Sequence, residues 1–237
     1  MATCTHEIGT ADTGNTPNAS GAFTPVIGDL LIVFVVASAT VTDPASSALT
    51  SSVGMTFTQI LMASCAASVN SIYAFVSDQL VSNAASQTVT FDPADAANGT
   101  IIFVNAVAGM SKSGTAAIRQ FAKQDNQAAG TPAPAFSSNA LTENVTLGVV
   151  GNATSPAGLT APTSWTEPAS TGDLGYSTPT TGGEYVFRNS GFTGTTITWG
   201  SASASAFGSI IIELDTSANP IGELYNYNQA VKRASYF

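Results

Sequence analysis

The sequence predicts an all-β protein, a β-sandwich or jelly roll. Three observations carry that prediction. Helix-forming residues are scarce and β-branched residues are common. The apolar runs are short and bounded by Gly, Pro, Ser and Asn, which is how strands read in a sequence. The same succession of runs also occurs twice along the chain, at offsets of 108 to 115 residues.

The strands follow in order. Leu30–Val36 is a continuous apolar run and reads as a strand with no polar face. Met55–Ile60 alternates, Ile72–Val76 is apolar, Gln87–Phe91 alternates cleanly, and Ile101–Val107 is long and apolar. The second half offers Val145–Val150, Ser164–Glu167, Glu184–Phe187, Thr195–Trp199 and Ser209–Leu214. The halves correspond element by element: Leu30 with Val145, Phe57 with Trp165, Tyr73 with Tyr185, Phe91 with Trp199, and Gly99 with Gly208. This divides the chain into an extended N-terminal arm (1–21), a sandwich (22–216) and a C-terminal tail (217–237). The sandwich holds pseudo-repeats 22–110 and 141–216 and a connector 111–140. Thr131-Pro132-Ala133-Pro134 makes the connector a loop or crossover, with a short helical turn near Ile118–Ala122. A five-stranded unit exposes one apolar face and two edges, so two such halves are expected to pack as sheets of one sandwich, with or without strand exchange. Two tandem domains are the alternative.

Composition excludes several classes. Ala, Ser, Thr and Gly supply 116 of the 237 residues, and only 9% are charged. A chain that is 44% hydrophobic is not a disordered polyelectrolyte. Six Lys and Arg against fifteen Asp and Glu give a net charge of −9, which opposes nucleic-acid binding. Residues 1–111 contain no Lys or Arg at all. The segment Met1–Gly14 lacks the features of a secretory signal, and the longest apolar run, Leu30–Ala37, is far below the ~20 residues of a membrane helix. Synthesis in a cytoplasm, with no membrane contact, is the expectation. Cys4 and Cys65 are too few for a disulfide framework and are expected as two separate thiols rather than one bridge.

Candidates for chemistry are thin. The single histidine, His6, lies in the expected mobile arm two residues from Cys4, too loosely held for nucleophilic catalysis and too sparse for zinc. Asp92-Pro93-Ala94-Asp95 follows a strand and reads as a capped turn, with Ca²⁺ binding the sharper alternative. Asp29, Asp43, Asp173 and Glu184 are the other loop or strand-end acids, and none belongs to a motif. Trp165 and Trp199 suit a sugar platform, but each aligns with a Phe in the other half, which favours core packing. No catalytic residue, metal or cofactor is assigned. The tail differs in character. Asn219 is placed to cap a helix with Pro220 at its first position, and Ile221, Leu224, Tyr225, Asn228 and Val231 fall at helical spacing. Tyr225, Tyr227, Lys232, Arg233, Tyr236 and Phe237 are the candidate partner-docking residues.

The succession Gly28-Asp29-Leu30-Leu31, Gly54-Met55-Thr56-Phe57-Thr58, Tyr73-Ala74-Phe75, Thr88–Phe91 and Ile101–Gly109 resembles a loose family of bacteriophage structural proteins. That family pairs a Gly-Asp-Leu-Leu strand with a Gly-Trp-Thr hairpin and repeats the scheme. The resemblance spans about residues 22–215. Phe57 stands where the family usually carries Trp, and Trp165 keeps it in the second half. It implies a virion β-sandwich without catalytic residues: a capsid decoration protein, homo-oligomeric and often trimeric, whose partners are the major capsid protein or other virion proteins. A tail- or fibre-associated carbohydrate-binding or host-adhesion module is the alternative.

Overall fold

The computed structural model describes residues 1–38, 46–65 and 70–217. Asp43 and the tail positions from Asn219 to Phe237 lie outside them. The described residues form a β-sandwich of two five-stranded antiparallel sheets. The first sheet contains β1 (Thr3–Asp12), β3 (Leu30–Ser38), β5 (Phe57–Ser64), β6 (Asn70–Ser77) and β8 (Thr100–Ala108), in the order β1-β8-β3-β6-β5. A small sheet, β2 (Asn18–Ala19), β4 (Leu49–Ser51) and β7 (Val89–Phe91), has the order β2-β7-β4. The second large sheet contains β9 (Ile118–Gln127), β10 (Thr146–Asn152), β11 (Asp173–Ser177), β12 (Thr180–Arg188) and β13 (Phe207–Leu214), ordered β9-β13-β10-β12-β11. Counted within its own half, each large sheet runs first, fifth, second, fourth, third. Each large sheet is drawn from one half of the chain, so among the described residues no strands are exchanged between the two, as they would be in a jelly roll.

The continuous apolar strands have a direct cause. An antiparallel sheet usually leaves one face to water, but both faces of β3 are covered. Leu30, Ile32, Phe34 and Val36 enter a central core with Leu147, Val149, Tyr185, Ile210 and Ile212 of the second sheet. Leu31, Val33, Val35 and Ala37 enter an outer core with Phe23, Leu49, Tyr73, Phe75 and Phe91. The second sheet has its own outer cover, where Phe136, Leu159, Ile197 and Trp199 pack on Val150, Val186 and Ile211. The Pro-rich part of the connector belongs to that cover: Ile197 and Trp199 N–H donate to the carbonyls of Pro134 and Pro132 at 3.1 and 3.0 Å.

Three expectations need correction. The N-terminal arm is extended but not free, because Thr3–Asp12 is an edge strand paired along its length with β8. The connector holds no helical turn at Ile118–Ala122. A 3-10 turn at Gly114–Ala117 leads straight into β9, whose alternating Phe121, Lys123 and Asp125 suit a half-exposed edge. Two expected strands do not form: Ser164–Glu167 makes only an isolated bridge, Thr166 to Phe187, and Thr195–Trp199 only one, Thr196 to Ala135.

The abundance of small residues also has a location. Gly151 is flanked across the sheet by Gly183 on β12 and Gly208 on β13. A Cβ at Gly151 would stand 2.9 Å from Cys65 Sγ and 3.0 Å from Val36 Cγ1, and one at Gly208 would stand 2.5 Å from the Ser64 carbonyl oxygen. This glycine row lets the first sheet approach the second. Gly208→Ala must push backbone away and is expected to cost about 1–3 kcal/mol, read as a lower urea midpoint.

Candidate interaction surface

The residues singled out for chemistry are held in structural roles. His6 sits on β1 with Nδ1 2.8 Å from Asn105 Oδ1 and its ring stacked on Tyr185 at 5.4 Å. Asn105 Nδ2 donates to the Ile32 carbonyl, so its oxygen faces His6 and accepts the Nδ1 proton. Nε2 is buried and has no hydrogen-bond partner. Burial lowers the pKa of His6, partly offset by the Asn105 bond. Cys4 is sealed in the core with Sγ 3.4 Å from Tyr185 Oη, and burial pushes its thiol up to about 12. Cys65 is buried likewise and also pushed up to about 12, and the two cysteines are free thiols. Neither is a thiolate at neutral pH. Both are expected to resist a thiol reagent such as Ellman's in the native protein and to react at once in urea.

Two acids, Glu184 and Glu213, are fully buried, each facing protein donors. Glu184, on β12, accepts the Trp199 indole N–H at 2.9 Å on one oxygen and the Leu159 amide at 2.9 Å on the other. Burial first, and then repulsion by Glu167 and Asp173, push its carboxyl up to about 8. Asp173 is its cross-strand neighbour on β11. Asp173 and Glu167 are themselves raised, chiefly by burial. Glu213, on β13, is fully buried and accepts from four donors: Arg119, Gln120, the Leu141 amide and Asn144. It ties β9 and the chain entering β10 to β13. Asp29 accepts from the Val26 amide, and the Asp92 amide donates to the Ala48 carbonyl. Among the described residues, no three His, Cys, Asp or Glu side chains gather as a metal site. Trp199 is a buried core residue and Trp165 is half-buried against Phe192, with ring centroids 5.6 Å apart.

The surface is strongly uneven. Among the described residues, the large exposed apolar side chains are Met1, Val26, Ile27, Phe121 and Leu141. Met1, Val26 and Ile27 precede the starts of β1 and β3, Leu141 precedes β10, and Phe121 is the fourth residue of β9. The first sheet ends β6 and β8 at this pole, and the second ends β12 and β13 there, as the register requires. Val26 and Ile27 stand at the tip of a tight turn. Asp29 N–H donates back to the Val26 carbonyl at 3.1 Å, and Gly28 takes a φ of +94° that only glycine adopts without strain. Gly28 and Asp29 are further pinned to Val81 by two backbone bonds of 2.8 Å. The apolar tip is therefore rigid, with little ordering entropy left to lose on contact.

The described chain leaves at this same pole. Lys112 Nζ bonds Asp215 at 2.6 Å and Ser217 Oγ at 2.7 Å, and the Asp215 amide donates to the Ala117 carbonyl at 2.8 Å. The docking residues expected from the sequence, Tyr225 to Phe237, lie beyond that exit and outside the described residues. The exposed apolar set is different and was missed. Phe121 was hidden in what reads as a connector. The signal for Val26 and Ile27 was present: two large apolar residues between Pro25 and Gly28, where a turn normally places polar ones.

Comparison with protein-family models finds no match, and comparison with curated proteins finds none.

Proposed function

We propose that the chain is a non-enzymatic structural protein of a phage particle, a capsid decoration protein that stabilises the head through protein–protein contacts. The observation that carries this reading is the pole just described, where, among the described residues, the large exposed apolar side chains gather near the point from which the aromatic-rich tail continues. The rest of the molecule supports it. Both sheets are covered on their outer faces, the fully buried carboxyls of Glu184 and Glu213 are occupied by protein donors, and the thiols are sealed. What remains available to another molecule is contact surface: the rigid Val26–Ile27 tip, the sheet edges, and the candidate residues Tyr225, Tyr227, Lys232, Arg233, Tyr236 and Phe237. Single-sign acidity over residues 1–111 adds a preference for a partner surface with exposed cations. The partners on this reading are the major capsid protein and further copies of the chain, with a trimer as the expected assembly and the virion as the location.

The test is cosedimentation of the purified chain with intact heads, together with sedimentation velocity of the chain alone. An oligomer that travels in the head fraction, and leaves it on Val26→Asp/Ile27→Asp substitution, is expected. A monomer that never enters the head fraction overturns the proposal.

A further inference from the structure

β1 is an edge strand of the first large sheet, and within that sheet it pairs with β8 alone. Its register slips between His6 and Ile8, so the ladder is interrupted beside the histidine. Cys4 is the one residue of the strand that is buried outright. Its N–H donates to Asn189 Oδ1 at 2.6 Å, and its Sγ lies 3.4 Å from Tyr185 Oη. Cys4 and His6 therefore fasten this edge to the second sheet, both against Tyr185 of β12.

At His6 that attachment carries a cost that depends on a proton. The ring is stacked on Tyr185 at 5.4 Å and tilted against Phe103 of β8 at 6.3 Å. Nδ1 already donates to Asn105 Oδ1. Nε2 is a bare acceptor, buried and without a hydrogen-bond partner. A second proton has to go to Nε2, where it makes an N–H with no acceptor on a half-buried cation. The titratable groups around the ring do not offset this. Tyr185 and Cys4 stay neutral, because burial raises both. Glu7, next on β1, is itself raised, by burial first and then by Asp29 ahead of β3. Arg188, at the end of β12, donates to the carbonyls of Ser190 and Gly191.

We infer that β1 is an acid-released strap: protonation of His6 frees the strand from β8 and from Tyr185 while the rest of the sandwich stays folded. The docked ring resists the proton, and the released ring, in water, takes it at the ordinary 6.5. Release therefore becomes more favourable as pH falls below 6.5, by up to about tenfold per pH unit until the docked ring titrates as well. The fold as a whole moves the other way, because Glu184 stabilises it as pH falls. The two effects are separable by sign. Release bares the edge of β8, whose backbone donors and acceptors are then open to another strand. The inference does not rest on the virion reading, and either one stands if the other falls.

The test uses the full chain, with its two buried thiols as reporters. Cys4 lies on β1, and Cys65 follows β5 at the opposite edge of the same sheet. Alkylation by iodoacetamide is followed at each cysteine by peptide mapping between pH 7.5 and pH 5. Each rate is divided by that of the urea-unfolded chain at the same pH, which removes the thiol's own ionisation. Protection of Cys4 is expected to fall by up to about tenfold per pH unit below 6.5, while that of Cys65 does not fall with it. His6→Phe keeps a ring against Tyr185 and takes no proton, so its Cys4 protection is expected to be flat with pH. His6 is the single histidine of the chain, so its ring resonance gives the titration directly by NMR in the unaltered protein, with an expected midpoint below 6.5. Flat Cys4 protection in the unaltered chain, a fall shared equally by Cys65, a pH dependence that survives His6→Phe, or a ring midpoint at or above 6.5 overturns the inference.

Discussion

Glu213→Ala will lower the stability of the fold by about 3–5 kcal/mol, read as a fall in the urea midpoint with an unchanged slope. The carboxylate is fully buried on β13 and satisfies four donors at once. Removing it strands the buried Asn144 amide and takes an acceptor from the Leu141 N–H, Gln120 and Arg119, of which the last two keep the Ser138 and Asn139 carbonyls, so the cost is greatest at Asn144. The converse change is expected to be milder. Arg119→Ala leaves Glu213 three neutral donors, and the Arg119 side chain is already 26% exposed, so less is lost with it. A double-mutant cycle separates the pair from its surroundings. Equal losses for the two single variants would show that the ion pair, and not the full set of donors, sets the cost.

The second large effect is a dependence on pH centred on Glu184. Its folded carboxyl stands at about 8 against 4.5 for the ordinary group. A raised folded value means that the native protein holds a proton the unfolded chain gives up. The stabilisation is therefore complete below pH 4.5 and drains away as pH rises to about 8. At about 1.4 kcal/mol per pH unit, the loss across that window reaches up to about 5 kcal/mol. His6 acts in the opposite sense below its ordinary value of 6.5, because burial lowers its folded pKa. There the unfolded chain binds the proton and stability falls as pH falls. Urea unfolding of the native chain and of Glu184→Gln at pH 5, 7 and 8.5 distinguishes the two contributions. The variant is expected to lose the decline between pH 5 and 8.5. Parallel curves for the two proteins would remove Glu184 as its source.

What could be read in the sequence follows from where water is excluded. Leu30–Val36 and Ile101–Val107 were legible as strands because both faces of those strands are buried, so every position but Asn105 is apolar. β1 and β9 were not legible. In an edge strand one side faces solvent, and Thr3-Cys4-Thr5-His6-Glu7 or Arg119-Gln120-Phe121-Ala122-Lys123 shows too thin an apolar stripe to stand out from loop. β11 is short and polar at both ends. The carboxylates were only half legible. Glu213 follows three isoleucines and precedes a leucine, and Glu184 stands before Tyr185-Val186-Phe187. An acid inside an apolar run is a buried acid that needs donors. The donors themselves come from 15 to 94 residues away along the chain, and no local pattern announces them.

Each large sheet, with its own outer cover, comes from an uninterrupted stretch of chain, and the only covalent link between the two described halves is the short passage from Gly109 to Ala117. The sandwich is thus organised like an interface between two subunits that happen to share a backbone. A chain cleaved within that passage would still own both complementary faces, and its halves would reassemble as a heterodimer whose refolding rate rises with concentration. In the intact protein the linker converts that second-order encounter into a first-order one.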